Sequence, residues 1–388
     1  MSEWKKVSLS KMGIVSRGKS KHRPRNDARL YGGRYPFIQT GDIGAAGLYV
    51  TDYSQTYNEE GLAQSKLWEV NTLCITIAAN IADTALLAFP ACFPDSIMGF
   101  VPYKNVANVK YVKYCFDILK KDCQQISQGT AQDNLSWKKL STIKFPCPPL
   151  EVQNRIATIL SRYDSLIENY QKQIKLLEEA AQRLYKEWFV DIHFPGHENI
   201  KIIDGVPEGW EKKPVDTIYS IKYGKNLSTK LISENGKFPV YGANGVIGYY
   251  DKANCNEQVV LITSRGNGSG DVLMTYHKDA FITNNSFIVS PLEDYSYCQL
   301  PFTYQFLKNA NFRAVRTGAA QPQLTNQSIH TVDVVLPSKD VIIDYCDKAF
   351  YNNKKIILLK NQIRLLTEAR DRLLPKLMSG DIKIESLK

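Results

Sequence analysis

The chain has 388 residues, 44% of them hydrophobic and 23% charged, and this composition excludes an intrinsically disordered protein. No run of about eighteen apolar residues occurs, and the N-terminus lacks the apolar core of a signal peptide, so neither a membrane span nor export is expected. The 49 Lys and Arg residues exceed the 39 Asp and Glu residues, and the resulting net charge of +10 favours a polyanionic partner.

Eight cysteines, at positions 74, 92, 115, 123, 147, 255, 298 and 346, include no C-x-x-C pair and no spacing typical of a zinc site. We expect free thiols in a protein of the reducing cytoplasm. His193 and His197 are four residues apart, but Pro195 and Gly196 between them exclude a helical metal-binding face. No metal site is therefore predicted.

The first predicted region, residues 1–148, has mixed α and β character, because short β-rich runs such as 72–77 alternate with glycine turns. Residues Gly13 to Ser20 match the phosphate-binding loop G-x-x-x-x-G-K-[ST]. That loop needs a buried strand before it and a helix after it, whereas only twelve residues precede Gly13 and Pro24 follows the motif closely. An ATP site is therefore disfavoured.

A basic segment follows within this region. Seven cations lie between positions 17 and 34 against a single acid, Asp27, and Pro24 and Gly32 interrupt regular structure. The pattern predicts a mobile loop able to reach a phosphate backbone. The alternative is a solvated loop whose charges are balanced elsewhere in the fold. The cations are Arg17, Lys19, Lys21, Arg23, Arg25, Arg29 and Arg34, with His22 among them.

A long helix is predicted over residues 149–190, because its apolar residues recur at alternating steps of four and three, which is typical of a coiled-coil seam. The seam residues are Ile156, Leu160, Tyr163, Ile167, Tyr170, Ile174, Leu177, Ala181, Leu184 and Trp188. A linker rich in Pro and Gly, residues 191–209, comes next. A second mixed region occupies residues 210–336, with a β-rich run at 258–263 and a glycine-rich turn at 267–270.

The final region, residues 337–388, repeats the helical pattern. Its seam residues are Tyr345, Ala349, Asn352, Ile356, Leu359, Ile363, Leu366, Arg370, Leu373 and Leu377, of which Asn352 and Arg370 are polar. About forty residues of helix span about 60 Å, and an apolar stripe of that length does not remain exposed to water. We expect the two helices to pair with each other, antiparallel if a pseudo-two-fold axis relates the halves. The alternative is that each helix packs only on its own domain.

The two halves of the chain are related in sequence. An offset of 189 maps residues 129–136, GTAQDNLS, onto 318–325, GAAQPQLT, and continues without a gap through both helices. Near the start of each half the offset is 206, which maps Trp4 onto Trp210 and Gly18-Lys19 onto Gly224-Lys225. The chain is therefore a tandem repeat in which the start and the end of each half are similar in sequence, whereas the middle regions between them differ.

Polar residues of both middles are candidates for DNA contact. Arginine bonds guanine with two hydrogen bonds, Asn and Gln bond adenine in a similar way, and glycines allow the backbone to approach a ligand. Each of these residues taken singly is more often a turn or cap residue. Besides the basic segment, the first-half candidates are Gln39, Thr40, Asn80, Gln132 and Asn134. The second-half candidates are Lys222, Tyr223, Lys225, Tyr241, Asn244, Arg265, Asn267, Asn284, Arg313, Arg316, Gln321 and Gln323.

This layout resembles the DNA-specificity subunit of type I restriction-modification systems. Similar segments are Val206-Pro207-Glu208-Gly209-Trp210, residues 36–43 (PFIQTGDI), residues 241–245 (YGANG), the two G-x-A-Q-x-x-L segments and the ending LPKLMSGDI at 374–382. The first half departs from the pattern, because Glu3-Trp4 lacks the preceding Pro-x-Gly.

The resemblance implies an α+β fold with two target-recognition domains, 1–148 and 210–336, separated by two long antiparallel coiled-coil helices. It implies a subunit without catalytic activity that binds bipartite double-stranded DNA, one half-site per domain. Two methyltransferase subunits and, for cleavage, motor-nuclease subunits would be its partners. It implies no cofactor on this chain, since the partners would supply S-adenosylmethionine, ATP and magnesium.

Two other classes of protein fit the sequence less well. A self-contained methyltransferase would need an Asp/Asn-Pro-Pro-Tyr/Phe loop, and the one Pro-Pro pair, Pro148-Pro149, lacks the preceding acid or amide and instead marks a helix start. A purely structural coiled-coil protein would show no salt-dependent DNA binding.

Overall fold

The structure is a computed structural model that describes residues 4–127, 135–318 and 321–382. The chain divides into two compact units. Unit 1 comprises Met1–Tyr170 and Ile363–Lys388, and unit 2 comprises Gln171–Gln362. Each unit therefore contains part of both long helices.

Unit 1 combines short strands with four helices and the first part of a long one. Its strands are β1 Lys6–Ser8, β2 Gly13–Arg17, β3 Tyr31–Phe37, β4 Tyr49–Val50, β5 Gln55–Tyr57, β6 Leu67–Trp68, β7 Leu73–Thr76, β8 Thr84–Leu87, β9 Ala91–Cys92, β10 Ile97–Pro102 and β11 Lys144–Pro146. Its helices are α1 Thr40–Ala45, α2 Glu59–Ala63, α3 Val109–Ser127 and α4 Trp137–Thr142, followed by α5 Leu150–Tyr185. The strands form sheets β2-β10-β7-β8-β4, β5-β3-β9-β6 and β1-β11.

After α5 the chain of unit 2 forms a small hairpin, β12 Ile202–Ile203 with β13 Val206–Pro207. The remaining strands of unit 2 are β14 Glu211–Pro214, β15 Tyr219–Tyr223, β16 Phe238–Gly242, β17 Gly245–Tyr250, β18 Val260–Thr263, β19 Val272–Met274, β20 Phe281–Ile282, β21 Ser286–Pro291 and β22 Asp333–Leu336. Its helices are α6 Leu300–Asn309 and α7 Asn326–His330, followed by α8 Lys339–Ser379. The sheets are β15-β21-β18-β19, β17-β16-β20 and β14-β22.

Strand pairing confirms the tandem repeat. Lys6 lies opposite Pro146 in unit 1, and the repeat-equivalent residues Lys212 and Val335 lie opposite each other in unit 2. The parallel pairing of β3 with β9 has its counterpart in the parallel pairing of β16 with β20. The repeat therefore extends from sequence to sheet topology, and the predicted α+β class is confirmed.

The long helices begin and end where local signals place them. Helix α5 follows Pro148-Pro149, which fits a helix start, and a π-helical turn over Lys186–Val190 extends it. Helix α8 runs over 41 residues and is ended by Gly380, whose positive φ of 78° suits a glycine terminator. All twenty predicted seam residues are buried or half-buried.

Contacts inside each unit show that the helices pair antiparallel. In unit 1, Leu160 of α5 belongs to the same apolar cluster as Leu374 and Leu377 of α8. In unit 2, Glu178 of α5 pairs with Lys360 of α8 at 3.2 Å. Because an early part of α5 meets a late part of α8, and a later part of α5 meets an earlier part of α8, the predicted antiparallel pairing is confirmed.

Polar Arg370 sits within the seam because a buried acid binds it. Its Nη1 donates to Oδ1 of Asp164 at 2.6 Å, and the Asp164 side chain is only 7% exposed. The Tyr114 hydroxyl donates to the other oxygen of the same carboxylate. Burial raises the pKa of Tyr114, and the neighbouring Asp164 charge adds to that shift. This set of three residues, which we call the Arg370 network, keeps a charged pair hydrogen-bonded within an apolar interface.

None of the eight cysteines, all of which lie in the described ranges, is disulfide-bonded, and all but Cys147 are buried. Burial raises the pKa of Cys298 to about 12, which keeps this thiol protonated and unreactive. Among the helices described, none combines the length and the apolar character that a membrane span requires.

Candidate nucleic-acid interface

In unit 2, four loops and Lys225 come together at one edge of the sheets. The Thr263 hydroxyl donates to the Ala243 carbonyl at 2.7 Å, and Leu324 N–H donates to the Ser264 carbonyl at 2.8 Å. Asn284 N–H donates to the Lys225 carbonyl at 3.1 Å. We call the result loop cluster 2, composed of residues 225, 242–245, 264–271, 283–285 and the described part of 313–324.

Loop cluster 2 presents several of the predicted side chains together. Arg265 is exposed, and its backbone forms a β-bridge with Gln323. Arg316 donates to the carbonyls of Arg313 at 3.0 Å and of Asn267 at 3.5 Å. The exposed Asn244, Gln321 and Gln323 side chains belong to the same cluster. A cation and several amides therefore face solvent within one small region.

Two predicted residues of this half are bonded to other side chains of the protein. The guanidinium of Arg313 donates to Oδ1 of Asp271 at 2.5 Å, so its charge is paired. Tyr241 is only 3% exposed, and its hydroxyl bonds His277 Nδ1 and accepts Tyr276 N–H. Tyr241 is therefore bonded within the protein, and its burial contradicts the prediction that it contacts DNA.

The remaining second-half candidates lie within or beside the cluster. Lys222 and Tyr223 end strand β15, where both are exposed, and the Tyr223 hydroxyl donates to the Leu324 carbonyl at 3.2 Å. Asn284 is half-buried, and its backbone carbonyl accepts the Ser264 hydroxyl at 3.0 Å.

Gly18 and Gly224, the repeat-equivalent glycines before Lys19 and Lys225, share one packing role. A Cβ at Gly18 would lie 2.2 Å from the Pro94 carbonyl oxygen, and one at Gly224 would lie 2.3 Å from that of Thr283. Only glycine fits such a close backbone approach. Gly13 to Arg17 form strand β2, so the residues that match a phosphate-binding loop do not form one.

The basic segment of unit 1 is more neutralised than the predicted phosphate-binding loop. Arg25 pairs with Asp95 at 2.5 Å, and Arg29 pairs with Asp27 at 2.8 Å. Asp95 also approaches Arg23 at 3.8 Å, and Asp27 accepts from His22 at 2.8 Å, while Arg34 approaches Glu59 at 3.6 Å. Hydrogen bonds from Arg29 and His22 hold the pKa of Asp27 well below its usual range. Four of the seven cations are therefore ion-paired, Arg29 with Asp27 of the segment itself and the other three with acids elsewhere in the fold, which favours the alternative of balanced charges.

Three cations of the segment remain without an ion pair in the described part of the chain: Arg17, Lys19 and Lys21. Lys19 N–H donates to the Phe93 carbonyl at 3.0 Å, and Ile38 N–H donates to the adjacent Cys92 carbonyl at 2.8 Å. The loop that carries Lys19 therefore lies beside the start of α1.

The amide candidates of unit 1 lie at that helix start and in the following turn. Gln39 is the exposed N-cap residue of α1, and Thr40 is its first residue. Exposed Asn80 lies in a turn close to Gly44 of the same helix. These residues and the three unpaired cations form loop cluster 1. Gln132 and Asn134 lie outside the described residues.

Lys66 is a neighbouring cation that the sequence reasoning missed. Its Nζ lies 3.6 Å from the centre of the Trp68 ring. Gln64 Oε1 accepts the backbone N–H of Lys21 at 2.6 Å, which brings the segment just before β6 next to the basic segment. No local spacing rule connects positions 21 and 64, so only the folded chain reveals the neighbour.

These clusters carry residue types that bind nucleic acids. Exposed cations contact phosphates, and Arg, Asn and Gln side chains contact base edges. Across the described residues, no group of three or more His, Cys, Asp or Glu is arranged to hold a metal ion.

Comparison with known proteins identifies similar chains along nearly the whole length. A family model described as the type I restriction modification DNA specificity domain matches residues 1–179 and 207–363. The type I restriction enzyme MjaIX specificity subunit of Methanocaldococcus jannaschii is 25% identical over 418 residues, covering 99% of this chain and 95% of the relative. The type I restriction enzyme EcoprrI specificity subunit of Escherichia coli is 21% identical over 352 residues, covering 87% and 84%.

A solved structure shares the fold. The crystal structure of a type I restriction-modification system S subunit from M. genitalium matches with a TM-score of 0.61 and covers 96% of both chains. Its sequence identity of 19% limits this likeness to the fold.

Proposed function

Because the chain belongs to the type I restriction modification DNA specificity family, we propose that it reads a bipartite double-stranded DNA target, with loop cluster 1 binding one half-site and loop cluster 2 the other. The two units share a repeated scaffold but carry different loop clusters, which suits recognition of two different short DNA sequences. The main support for the proposal is that the two clusters lie at equivalent positions of the repeat. The repeat-equivalent Lys19 and Lys225 occupy the same place in each unit, next to Phe93 and Ile282.

We further propose that the chain itself carries no catalytic activity. Methylation would belong to two methyltransferase subunits that bring S-adenosylmethionine, and cleavage to motor-nuclease subunits that bring ATP and magnesium. The eight free cysteines support a place in the reducing cytoplasm.

Methylation mapping tests this function. We expect the chain combined with its methyltransferase subunits to methylate one bipartite sequence, and the purified chain alone to transfer no methyl group. Methylation at single, ungapped sites would contradict bipartite reading. Transfer by the chain alone would contradict a non-catalytic subunit.

Arg265→Ala should relax recognition of the second half-site. If Arg265 bonds a guanine, the lost discrimination at that base pair is about 1–3 kcal/mol, with the first half-site unchanged. The measurement is the affinity of the assembled complex for DNA duplexes substituted at each position. Lys225→Ala is the matched control, because loss of a phosphate contact weakens binding to all sequences alike. Uniform weakening by Arg265→Ala would assign Arg265 to the phosphates instead.

The paired helices offer a docking surface in each unit. Leu176 on α5 and the repeat-equivalent Leu365 on α8 are 65% and 49% exposed. A groove of about 340 Å³ runs beside Leu176 and is lined by Glu179, Ala180, Arg183, Leu184 and Glu187. The repeat places Glu368, Ala369, Arg372 and Leu373 beside Leu365. Two similar exposed surfaces suit two copies of one partner, and we assign them to the two methyltransferase subunits.

Leu176→Asp and Leu365→Asp should each remove one methyltransferase subunit from the complex, because a charge in an apolar contact is desolvated without a partner. Native mass spectrometry of the reconstituted complex counts the bound subunits. Leu166→Asp is the control, because Leu166 is 44% exposed and its repeat equivalent is Lys355. Retention of both subunits by both variants would place the docking surface elsewhere.

A further inference from the structure

Unit 1 has an open apolar groove that the proposed function leaves unused. Its volume is about 660 Å³, within the range of binding pockets. It lies between the start of the chain, helix α3 and the end of α8, and its apolar lining is Trp4, Ile118, Leu119, Pro146, Pro375 and Met378. Lys6 and Lys144 also line it. Both lysines are exposed, and neither has an ion pair in the described part of the chain.

The repeat shows what the same place contains in unit 2. There Phe189 is the equivalent of Met378, and its ring lies 6.0 Å from that of Trp210, the equivalent of Trp4. Phe189 also lies 5.3 Å from Phe302 of α6. Phe194 adds a second ring on Trp210 at 5.6 Å and is 1% exposed. Aromatic side chains of the chain itself therefore fill the site in unit 2.

A second comparison shows that the groove of unit 1 is left uncovered among the described residues. Ile118 on α3, which lines the groove, is 40% exposed, whereas Phe302 and Leu307 on α6 of unit 2 are completely buried. Phe189 fills the site in unit 2, and Met378, which has no ring, takes its place in unit 1. The space that remains is therefore one that an aromatic ring fits.

We propose that the groove beside Trp4 binds an aromatic side chain of a methyltransferase subunit, carried on an acidic segment of that subunit. The inference rests on the proposed function. The equivalent site in unit 2 argues for the aromatic ring, and the unpaired charges of Lys6 and Lys144 argue for acidic neighbours. A buried aromatic ring removes about 150–250 Å² from water and is a common anchor of protein interfaces.

The groove makes the two docking sites unequal. Leu176 and Leu365 provide a similar surface in each unit, but the groove adds a contact in unit 1 alone. The first methyltransferase subunit should therefore bind at unit 1 with higher affinity, and the second should bind at unit 2 with lower affinity.

Titration of the full chain with the purified methyltransferase subunit of the same system tests the proposal by calorimetry. Ile118→Asp should weaken the tighter binding step at least tenfold and leave the weaker step unchanged. Lys6→Glu combined with Lys144→Glu should also weaken the tighter step and should reduce its dependence on salt. Ile14→Asp is the matched control, because Ile14 is a 58% exposed apolar residue of unit 1 outside the groove, and it should change neither step.

Two outcomes would contradict the groove proposal, and a third would contradict the proposed function. If Ile118→Asp leaves both steps unchanged, the groove does not bind the subunit. If Ile118→Asp acts only in a chain shortened after Ile382, the occupant is the end of this chain and the proposal is wrong. If the unaltered chain binds no methyltransferase subunit, the proposed function itself fails.

Discussion

Arg370→Ala should destabilise the protein by about 3–5 kcal/mol, because it leaves the buried Asp164 carboxylate without its cation. The Tyr114 hydroxyl would still donate to that carboxylate, but one hydrogen bond does not replace an ion pair in an apolar interface. Denaturant unfolding followed by far-UV circular dichroism measures the loss. The transition reporting unit 1 should shift to lower denaturant.

Arg372→Ala provides the matched control. Arg372 lies two residues further along α8 and is exposed, so its removal should change the unfolding free energy by less than about 0.5 kcal/mol. Asp164→Leu and Arg370→Met combined with Tyr114→Phe should recover most of the loss, since this triple variant leaves neither a charge nor a hydroxyl buried without a partner. Equal stabilities of the Arg370 and Arg372 variants would show that the Arg370 network contributes nothing.

Lengthening both helices by one heptad should lengthen the unread gap of the DNA target and leave both half-sites unchanged. Seven residues add about 10 Å at 1.5 Å per residue and preserve the seven-residue seam. Since one base pair takes about 3.4 Å, up to about three base pairs of additional gap are expected. The insertions are placed after Gln171 in α5 and after Gln362 in α8, and methylated sites are then mapped.

An insertion in α5 alone is the control for this experiment. It would move Glu178 and the following seam residues out of register with their α8 partners, such as Lys360, so we expect loss of methylation rather than a longer gap. An unchanged gap with altered half-sites in the double insertion would contradict the role of the helices as a ruler.

The sequence was sufficient for the parts of the fold that depend on local periodicity. The alternating steps of four and three from Ile156 to Trp188 predicted a seam, and these positions are buried or half-buried as expected. The two offsets, 189 and 206, predicted equivalent frames, and the pairings of Lys6 with Pro146 and of Lys212 with Val335 confirm them.

The candidate interface was less accessible to sequence reasoning. The sequence left open whether other acids balance the basic segment, because Asp95 lies 70 residues from its partner Arg25. Tyr241 was predicted to contact DNA, yet it is buried. A residue's type shows which contacts it makes well, but it does not show whether the folded chain leaves that residue exposed.

The amino-acid order by itself determined that this protein is a duplicated α+β chain with two long helices, because repeats and helix periodicity are recorded in the spacing of neighbouring residues. The tertiary structure alone decided which cations are paired, why Arg370 is tolerated in the seam and which unit has an open apolar groove. These properties depend on groups such as Asp164 and Arg370, 206 residues apart, which only the return of the chain brings within hydrogen-bonding distance.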